Sequence, residues 1–127
     1  MNMIKIYFPV LVVLLLANGA CFHFGPNDIR GEWSFQSGSE KLYVFVFAGS
    51  REKGTLVEVD YPDDGAGQYT VAGKEIEFNF VATLAGGRSC HFSGSFTADN
   101  RIAGTMELVA AYPPFAWTYE VEGRRLF

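Results

Sequence analysis

Residues 89–109 read SCHFSGSFTADNRIAGTMELV, and this stretch decides the fold. Apolar and polar side chains alternate along both of its halves, which is the period of a β-strand that buries one face. Residues 98–100 separate the two halves and have the composition of a turn. The stretch therefore predicts an antiparallel hairpin in which Gly94 and Gly104 lie on opposite arms.

The same alternation continues in both directions along the chain. It predicts eight short strands, at about residues 30–36, 41–47, 53–61, 67–72, 75–82, 89–97, 101–109 and 115–122. The connections are short and rich in turn residues, which favours hairpins between consecutive strands in simple up-and-down order. No stretch has convincing helical periodicity. The sequence thus predicts an all-β fold, an eight-stranded antiparallel up-and-down barrel, with Val57 and Val59 among its inward side chains.

The first 20 residues are predicted to be a cleaved signal peptide. Lys5 precedes an uncharged run at residues 6–17, and small residues follow it. This run is too short for a transmembrane helix, which needs about 20 apolar residues. The predicted organisation is a signal peptide at 1–20, an irregular segment at 21–29, and the barrel domain at 30–127.

The two cysteines leave two alternatives open. Cys21 directly follows the small residues, as in the lipobox of bacterial lipoproteins, although Asn18 stands where that box usually has Leu. Cys21 would then be lipidated and Cys90 would be a lone thiol. Alternatively, a Cys21–Cys90 disulfide would close a loop of about 70 residues. In both cases the protein is expected to be exported to the periplasm or cell envelope, either lipid-anchored at Cys21 or otherwise secreted.

Charge and residue types exclude several functions. The net charge is −4, and the basic residues are scattered, so neither nucleic acid nor an anionic lipid surface is an expected partner. Membrane association is expected only through a lipid on Cys21. His23 and His91 are the only histidines and lack metal-ligand spacing. Cys90 and His91 are adjacent on a strand, so their side chains point to opposite faces. We therefore expect no metal, no cofactor and no enzymatic activity.

The second predicted strand, KLYVFVF at residues 41–47, is apolar on both faces. One face fills the core, and the other carries Leu42, Val44 and Val46. Two alternatives remain for this second face. Residues 21–29 cover it, or it contacts a partner protein or a membrane.

Gly31-Glu32-Trp33, at the start of the first strand, resembles the Gly-x-Trp signature of the lipocalin and calycin group. In many members an Arg just after the last strand packs over this Trp, and Arg124 or Arg125 holds the matching place here. The sequences of the strand segments at residues 67–71, 92–96 and 102–106 are similar to those of small bacterial lipocalin-like domains. The resemblance covers about residues 30–125 and implies a closed barrel that can hold a small ligand.

The predicted ligand-binding residues are inward-facing and apolar or aromatic: Tyr69, Phe78, Phe92, Met106, Trp117 and Tyr119. The expected function is that of an exported lipocalin-like barrel that binds a small hydrophobic molecule. The alternative is an envelope interaction barrel, an inhibitor or scaffold with a packed core. A cavity above about 300 Å³ would favour the first function. A closed core with an exposed strip at Leu42, Val44 and Val46 would favour the second.

Overall fold

The computed structural model describes residues 25–63, 65–82, 87–111 and 114–127. The predicted leader and Cys21 lie outside these ranges. The described residues form eight strands and no helix: β1 Gly31–Ser37, β2 Glu40–Gly49, β3 Lys53–Glu58, β4 Gly65–Ala72, β5 Glu75–Ala82, β6 Arg88–Ala98, β7 Arg101–Ala111 and β8 Pro114–Arg125. Within these ranges, no helix is long and apolar enough to cross a membrane.

The eight strands follow one another around a closed antiparallel barrel in sequence order, and β8 returns to pair with β1. This confirms the predicted all-β class and the eight-stranded up-and-down barrel. Short turns hold consecutive strands side by side, and closure pairs the first strand with the last. Gly94 and Gly104 face each other across β6 and β7, as the hairpin pattern predicts.

Aromatic rings fill the middle of the barrel. Phe35 and Phe92 are fully buried, and Phe78 is 1% exposed. The centroid of the Phe78 ring lies 4.9 Å from that of Phe92 and 5.4 Å from that of Phe35. An eight-stranded barrel has an interior only about wide enough for side chains to fill. The rings therefore make this part of the interior a packed core.

Two glycines make room for one of these rings. A Cβ atom on Gly94 would lie 2.7 Å from the Phe92 ring, and one on Gly104 would lie 2.9 Å from it. Real Cβ atoms do not approach other atoms so closely, so any larger residue would displace the ring. The paired glycines thus leave space for the Phe92 ring beside β6 and β7.

The prediction for β3 was wrong in its end and in its inward face. The strand ends at Glu58 rather than at residue 61. Leu56 pairs with inward-facing Phe47 and is 1% exposed, whereas Val57 pairs with Val46 on the outer face. Successive side chains alternate between faces, so an error of one residue reverses the whole strand. Val57 and Val59 share one phase and Glu58 shares the phase of Leu56, so the alternation favoured the face that the structure places outward.

The strands differ in length, and this difference shapes one end of the barrel. β1 has 7 residues and β3 has 6, whereas β7 has 11 and β8 has 12. Only Glu122–Arg125 of β8 pair with β1, but β8 pairs with β7 from Pro114 onward. Residues 104–111 and 114–121 therefore extend beyond the end of β1. We call this pair of segments the projecting hairpin.

Candidate functional site

The end of the barrel at which β1 begins is closed by Trp33. This side chain has no exposed surface, and its indole N–H donates a hydrogen bond to the carbonyl oxygen of Ile29 at 2.7 Å. Gly31 precedes it with φ 116°, a conformation that L side chains rarely adopt. A Cβ atom on Gly31 would also collide with the backbone of Phe127. The Gly-x-Trp segment therefore places the Trp ring under the N-terminal and C-terminal ends of the barrel domain.

Arg125 lies over the Trp33 ring, with its guanidinium carbon 4.6 Å from the ring centroid. Arg124 is exposed instead. The Arg125 guanidinium donates hydrogen bonds to the carbonyl oxygens of Asp28 and Arg30, and to the side chain of Asn100 at 2.8 Å. Burial lowers the pKa of Arg125, while the carboxylates of Asp28 and Asp99 act in the opposite direction. This one side chain therefore ties the last strand to the segment that enters β1.

Asp28 is a buried charged residue in the same cluster, with 2% of its surface exposed. Its carboxylate accepts two hydrogen bonds from the Arg30 side chain, at 2.9 and 2.7 Å, and one from the Arg30 N–H at 3.1 Å. Burial alone would raise the pKa of Asp28. The hydrogen bonds from Arg30 and the charges of Arg30 and Arg51 outweigh burial, so the pKa is lowered. This end of the barrel is therefore held by a dense polar cap.

Four of the six predicted ligand-binding residues lie within the packed core. Tyr69, Phe78, Phe92 and Met106 are each at most 1% exposed. The Tyr69 hydroxyl donates a hydrogen bond to the carbonyl oxygen of Ser50, and burial raises its pKa. These side chains contact other parts of the core, and a ligand would have to displace rings to reach them.

The other two predicted residues lie at the opposite end, on the projecting hairpin. Trp117 is on the inner face of β8, opposite Leu108 of β7, yet 59% of its surface is exposed. Tyr119 and Leu108 are partly buried and pack against the core, and Phe115 is 37% exposed. The inner face of the projecting hairpin is thus apolar, and its accessible part is at Phe115 and Trp117 of β8. We call Leu108, Phe115, Trp117 and Tyr119 the open-end wall.

An open groove of about 780 Å³ lies at the side of the barrel. One side of the groove is residues 36–38, where β1 ends and turns toward β2, and the other includes Gly104 and Glu120–Glu122. It is therefore not the internal cavity that the lipocalin resemblance implies. The groove follows from the unequal strand lengths, because β8 continues where β1 has stopped.

Cys90 is a free thiol inside the barrel, on the inner face of β6 between Phe80 and Leu108. It is 1% exposed, and burial raises its pKa to about 12. A thiol held neutral in an apolar site is a poor nucleophile. Cys21, its partner in the predicted disulfide, lies outside the described residues.

The second face of β2, which carries Leu42, Val44 and Val46, is not an exposed apolar strip. Val44 is 7% exposed, Leu42 packs against the core, and Val46 is half-buried beside Val57. The Val59 N–H donates a hydrogen bond to the Val44 carbonyl oxygen, so the chain after β3 remains close to this strand. This face therefore presents little apolar surface to a partner.

Groups that could carry catalysis or bind a metal are dispersed. His91 lies on the outer face of β6, with its Nε2 3.2 Å from a carboxylate oxygen of Glu77. Among residues 25–63, 65–82, 87–111 and 114–127, no three His, Cys, Asp or Glu side chains are grouped so that they could hold a metal ion. The Cys90 side chain points inward while that of His91 is exposed.

Comparison with known proteins adds no relative. No protein-family model matches the chain. No curated protein matches it either. The lipocalin resemblance therefore has two supports: the short motifs in the sequence and the closed eight-stranded barrel.

Sequence reasoning missed several residues of these two ends. Asp28 was placed in an irregular segment with turn composition, and nothing local distinguishes it from an exposed turn residue. The alternation of residues 101–109 and 115–122 directs Leu108 and Phe115 inward, but neither is among the predicted ligand-binding residues. No local signal identifies them, because their accessibility depends on how far β7 and β8 extend past β1.

Proposed function

We propose that the protein is an exported, lipocalin-like barrel that binds a small hydrophobic molecule at its open end, against the open-end wall. The observation that carries the proposal is the exposure of Trp117. Its side chain is on the inner face of its strand, where residues elsewhere in the barrel are buried, but 59% of it is exposed. An apolar side chain of this size gains roughly 2 kcal/mol when it is fully removed from water.

This site differs from a deep lipocalin pocket in its position. The packed rings of the core form its floor, and the projecting hairpin forms one wall. A ligand there would contact Trp117 and Leu108 while Tyr119 supplies a hydroxyl group, which is a combination typical of small-molecule sites. The calycin relationship is part of this proposal, supported by Gly31-Glu32-Trp33 and by Arg125 over Trp33.

Export is the second part of the proposal, supported by the leader pattern of residues 1–20. The two processing alternatives at Cys21 predict different masses. A lipidated chain gains the mass of its acyl groups, whereas a disulfide removes two hydrogens from residues 21–127. The burial of Cys90 favours the first alternative, because a disulfide would have to reach a thiol that is 1% exposed.

The binding site can be tested with an apolar fluorescent probe. We expect 1-anilinonaphthalene-8-sulfonate to bind the protein with about micromolar affinity and to accept excitation energy from Trp117. Trp117→Ser should weaken probe binding about tenfold, because most of the apolar contact area is lost.

Val109→Ser is the matched control for this experiment. Val109 belongs to the same hairpin but lies on its outer face, and it is 38% exposed. We expect this variant to bind the probe like the unmodified protein. Equal probe binding by all three proteins, or no binding by the unmodified protein, would contradict the proposed site.

A further inference from the structure

The edge of β8 in the projecting hairpin has no strand beside it within the described part of the chain. The Arg125 N–H points to the β7 side of β8, because it donates a hydrogen bond at 3.1 Å to the carbonyl oxygen of Asn100, the residue before β7. Backbone groups alternate in direction along a strand, so Ala116, Thr118 and Glu120 direct their N–H and C=O groups away from β7. β1 would lie on that side, but its pairing with β8 ends at Glu122.

This edge has little of the usual protection of an exposed strand. Residues 115–121 read FAWTYEV, with no Pro or Lys and with one charged residue, Glu120. Natural edges are normally shielded by such residues or by bulges, because unpaired backbone groups are a template for another strand. Pro114 stands only at the tip, before the first unpaired group. The segment is thus suited in sequence and in geometry to accept one more strand.

The two faces of this edge differ in chemistry. The inner face carries Trp117 and Tyr119 of the open-end wall. The outer face carries Glu120, with Glu122 two residues farther along and Glu107 of β7 opposite Thr118. An added strand would therefore have apolar side chains next to the aromatic face and positive charges next to the acidic face.

The groove described above supplies the space. It lies at the foot of the free edge, between residues 36–38 and Glu120–Glu122, with a volume of about 780 Å³. A chain that paired with Glu120 and Thr118 would pass through it. The residues of β7 that line it are Ala103, Gly104 and Thr105, and all three are small.

We propose that the free edge of β8 binds an extended segment of a partner protein, in which Lys or Arg alternates with apolar residues. The backbone of the segment pairs with Ala116, Thr118 and Glu120, as in other cases of strand addition. The alternation provides specificity, because each face of the added strand meets one face of β8. A second copy of this chain is a poorer occupant, since its own β8 is acidic on the same face.

The proposal is tested on the full chain with the peptide acetyl-Lys-Val-Lys-Ile-Lys-Val-Lys-amide. We expect the peptide to slow amide hydrogen exchange at residues 116, 118 and 120 at least tenfold. Trp117 and Tyr119 are already paired with β7 and should change little. A peptide of the same composition without the alternation, acetyl-Lys-Lys-Val-Val-Ile-Lys-Lys-amide, should give no protection.

Two variants test whether the peptide binds at this edge of β8 rather than elsewhere on the protein. Glu120→Lys should weaken binding of the basic peptide about fivefold, since the outer-face charge pair is reversed. It should still bind the apolar probe normally, which distinguishes this proposal from the proposed function. Thr118→Pro should abolish peptide binding, because it removes an N–H that β7 does not use. Glu75→Lys, on the outer face of β5, is the charge control and should behave like the unmodified protein.

Three results would overturn the proposal. The first is unchanged exchange at residues 116, 118 and 120 with the peptide at millimolar concentration. The second is equal binding by the unmodified protein and Glu120→Lys. The third is protection of the three amides without peptide in a protein whose native mass is that of a dimer, which would assign the edge to a second copy.

Discussion

The two tryptophans of this chain mark its two ends. Trp33 is fully buried, donates a hydrogen bond to Ile29 and lies under Arg125. Trp117 is on the inner face of its strand as well, yet more than half of it is exposed. The same residue type therefore closes the barrel at one end and leaves an accessible apolar surface at the other.

The difference shows how one architecture separates stability from binding. The closed end combines a buried ring, a cation over it and a buried carboxylate, all tied to the first and last strands. The open end has strands of unequal length, so apolar side chains remain accessible and, among the residues that the structure describes, no strand pairs with the edge of β8 there. We expect substitutions at the closed end to change the free energy of unfolding, and substitutions at the open end to change binding.

Trp33→Ala should have the largest effect on stability. It leaves a cavity, an unpaired Ile29 carbonyl and an uncovered Arg125, and we expect a loss of about 4 kcal/mol in the free energy of unfolding. Trp117→Ala should cost less than about 0.5 kcal/mol, because the side chain is exposed. Urea unfolding followed by circular dichroism measures both. Equal losses in the free energy of unfolding would mean that the two ends contribute equally to stability.

Asp28→Asn should lower the free energy of unfolding by about 2 kcal/mol near neutral pH, because it removes a buried charge from the Arg30 hydrogen bonds. The pKa of Asp28 is lowered in the folded protein. Its stabilising effect is therefore complete above about pH 4, the unfolded pKa, and is lost as the pH falls through the folded value.

The matched control for Asp28→Asn is Asp63→Asn, which changes an exposed carboxylate. Stability should be measured between pH 2 and 7. The Asp28 variant should lose less stability in acid than the unmodified protein, whereas the Asp63 variant should follow it. Parallel acid curves for all three proteins would contradict the assignment of Asp28 as a stabilising carboxylate.

Because the Cys90 thiol is buried, we expect the free energy of unfolding to fall at alkaline pH. Burial raises its pKa from 9.0 to about 12, so the folded protein keeps the thiol neutral while the unfolded chain ionises. The stabilisation is complete below about pH 9 and falls by about 1.4 kcal/mol for each pH unit between 9 and 12. Cys90→Ala should have a flatter alkaline curve, although its stability at pH 7 is lower. A curve as steep as that of the unmodified protein would rule out Cys90 as the cause.

The smallest expected effect is spectroscopic. Acrylamide should quench the fluorescence of Trp117 and leave that of Trp33 nearly unaffected. Trp117→Phe retains only the buried indole, so its quenching constant should fall several-fold, whereas Trp33→Phe should keep a high constant. Similar quenching constants for the two variants would show that the open end covers its ring.

Part of this molecule could be predicted from its sequence. The alternation in residues 75–82 and 101–109 determines which side chains face inward, because a strand that buries one face must change polarity at every residue. Short turns between such strands determine an up-and-down order. The pattern was misleading at residues 56–59, where Val57 and Val59 alternate with Glu58 although Leu56 faces inward, and the predicted phase of β3 was wrong for that reason.

By itself, the sequence determined the strand count, the order of the strands and the presence of Trp33 and a nearby Arg at the two chain ends of the barrel. Only the tertiary structure decided that Arg125 rather than Arg124 covers Trp33, that Asp28 is buried, and that Trp117 is exposed although its strand directs it inward. The first depends on the register that pairs Arg125 with Trp33, and the last on how far β8 extends past β1. That stagger is a property of the closed barrel as a whole, since it arises from pairing β8 with β1 across the entire length of the domain, and no local pattern encodes it.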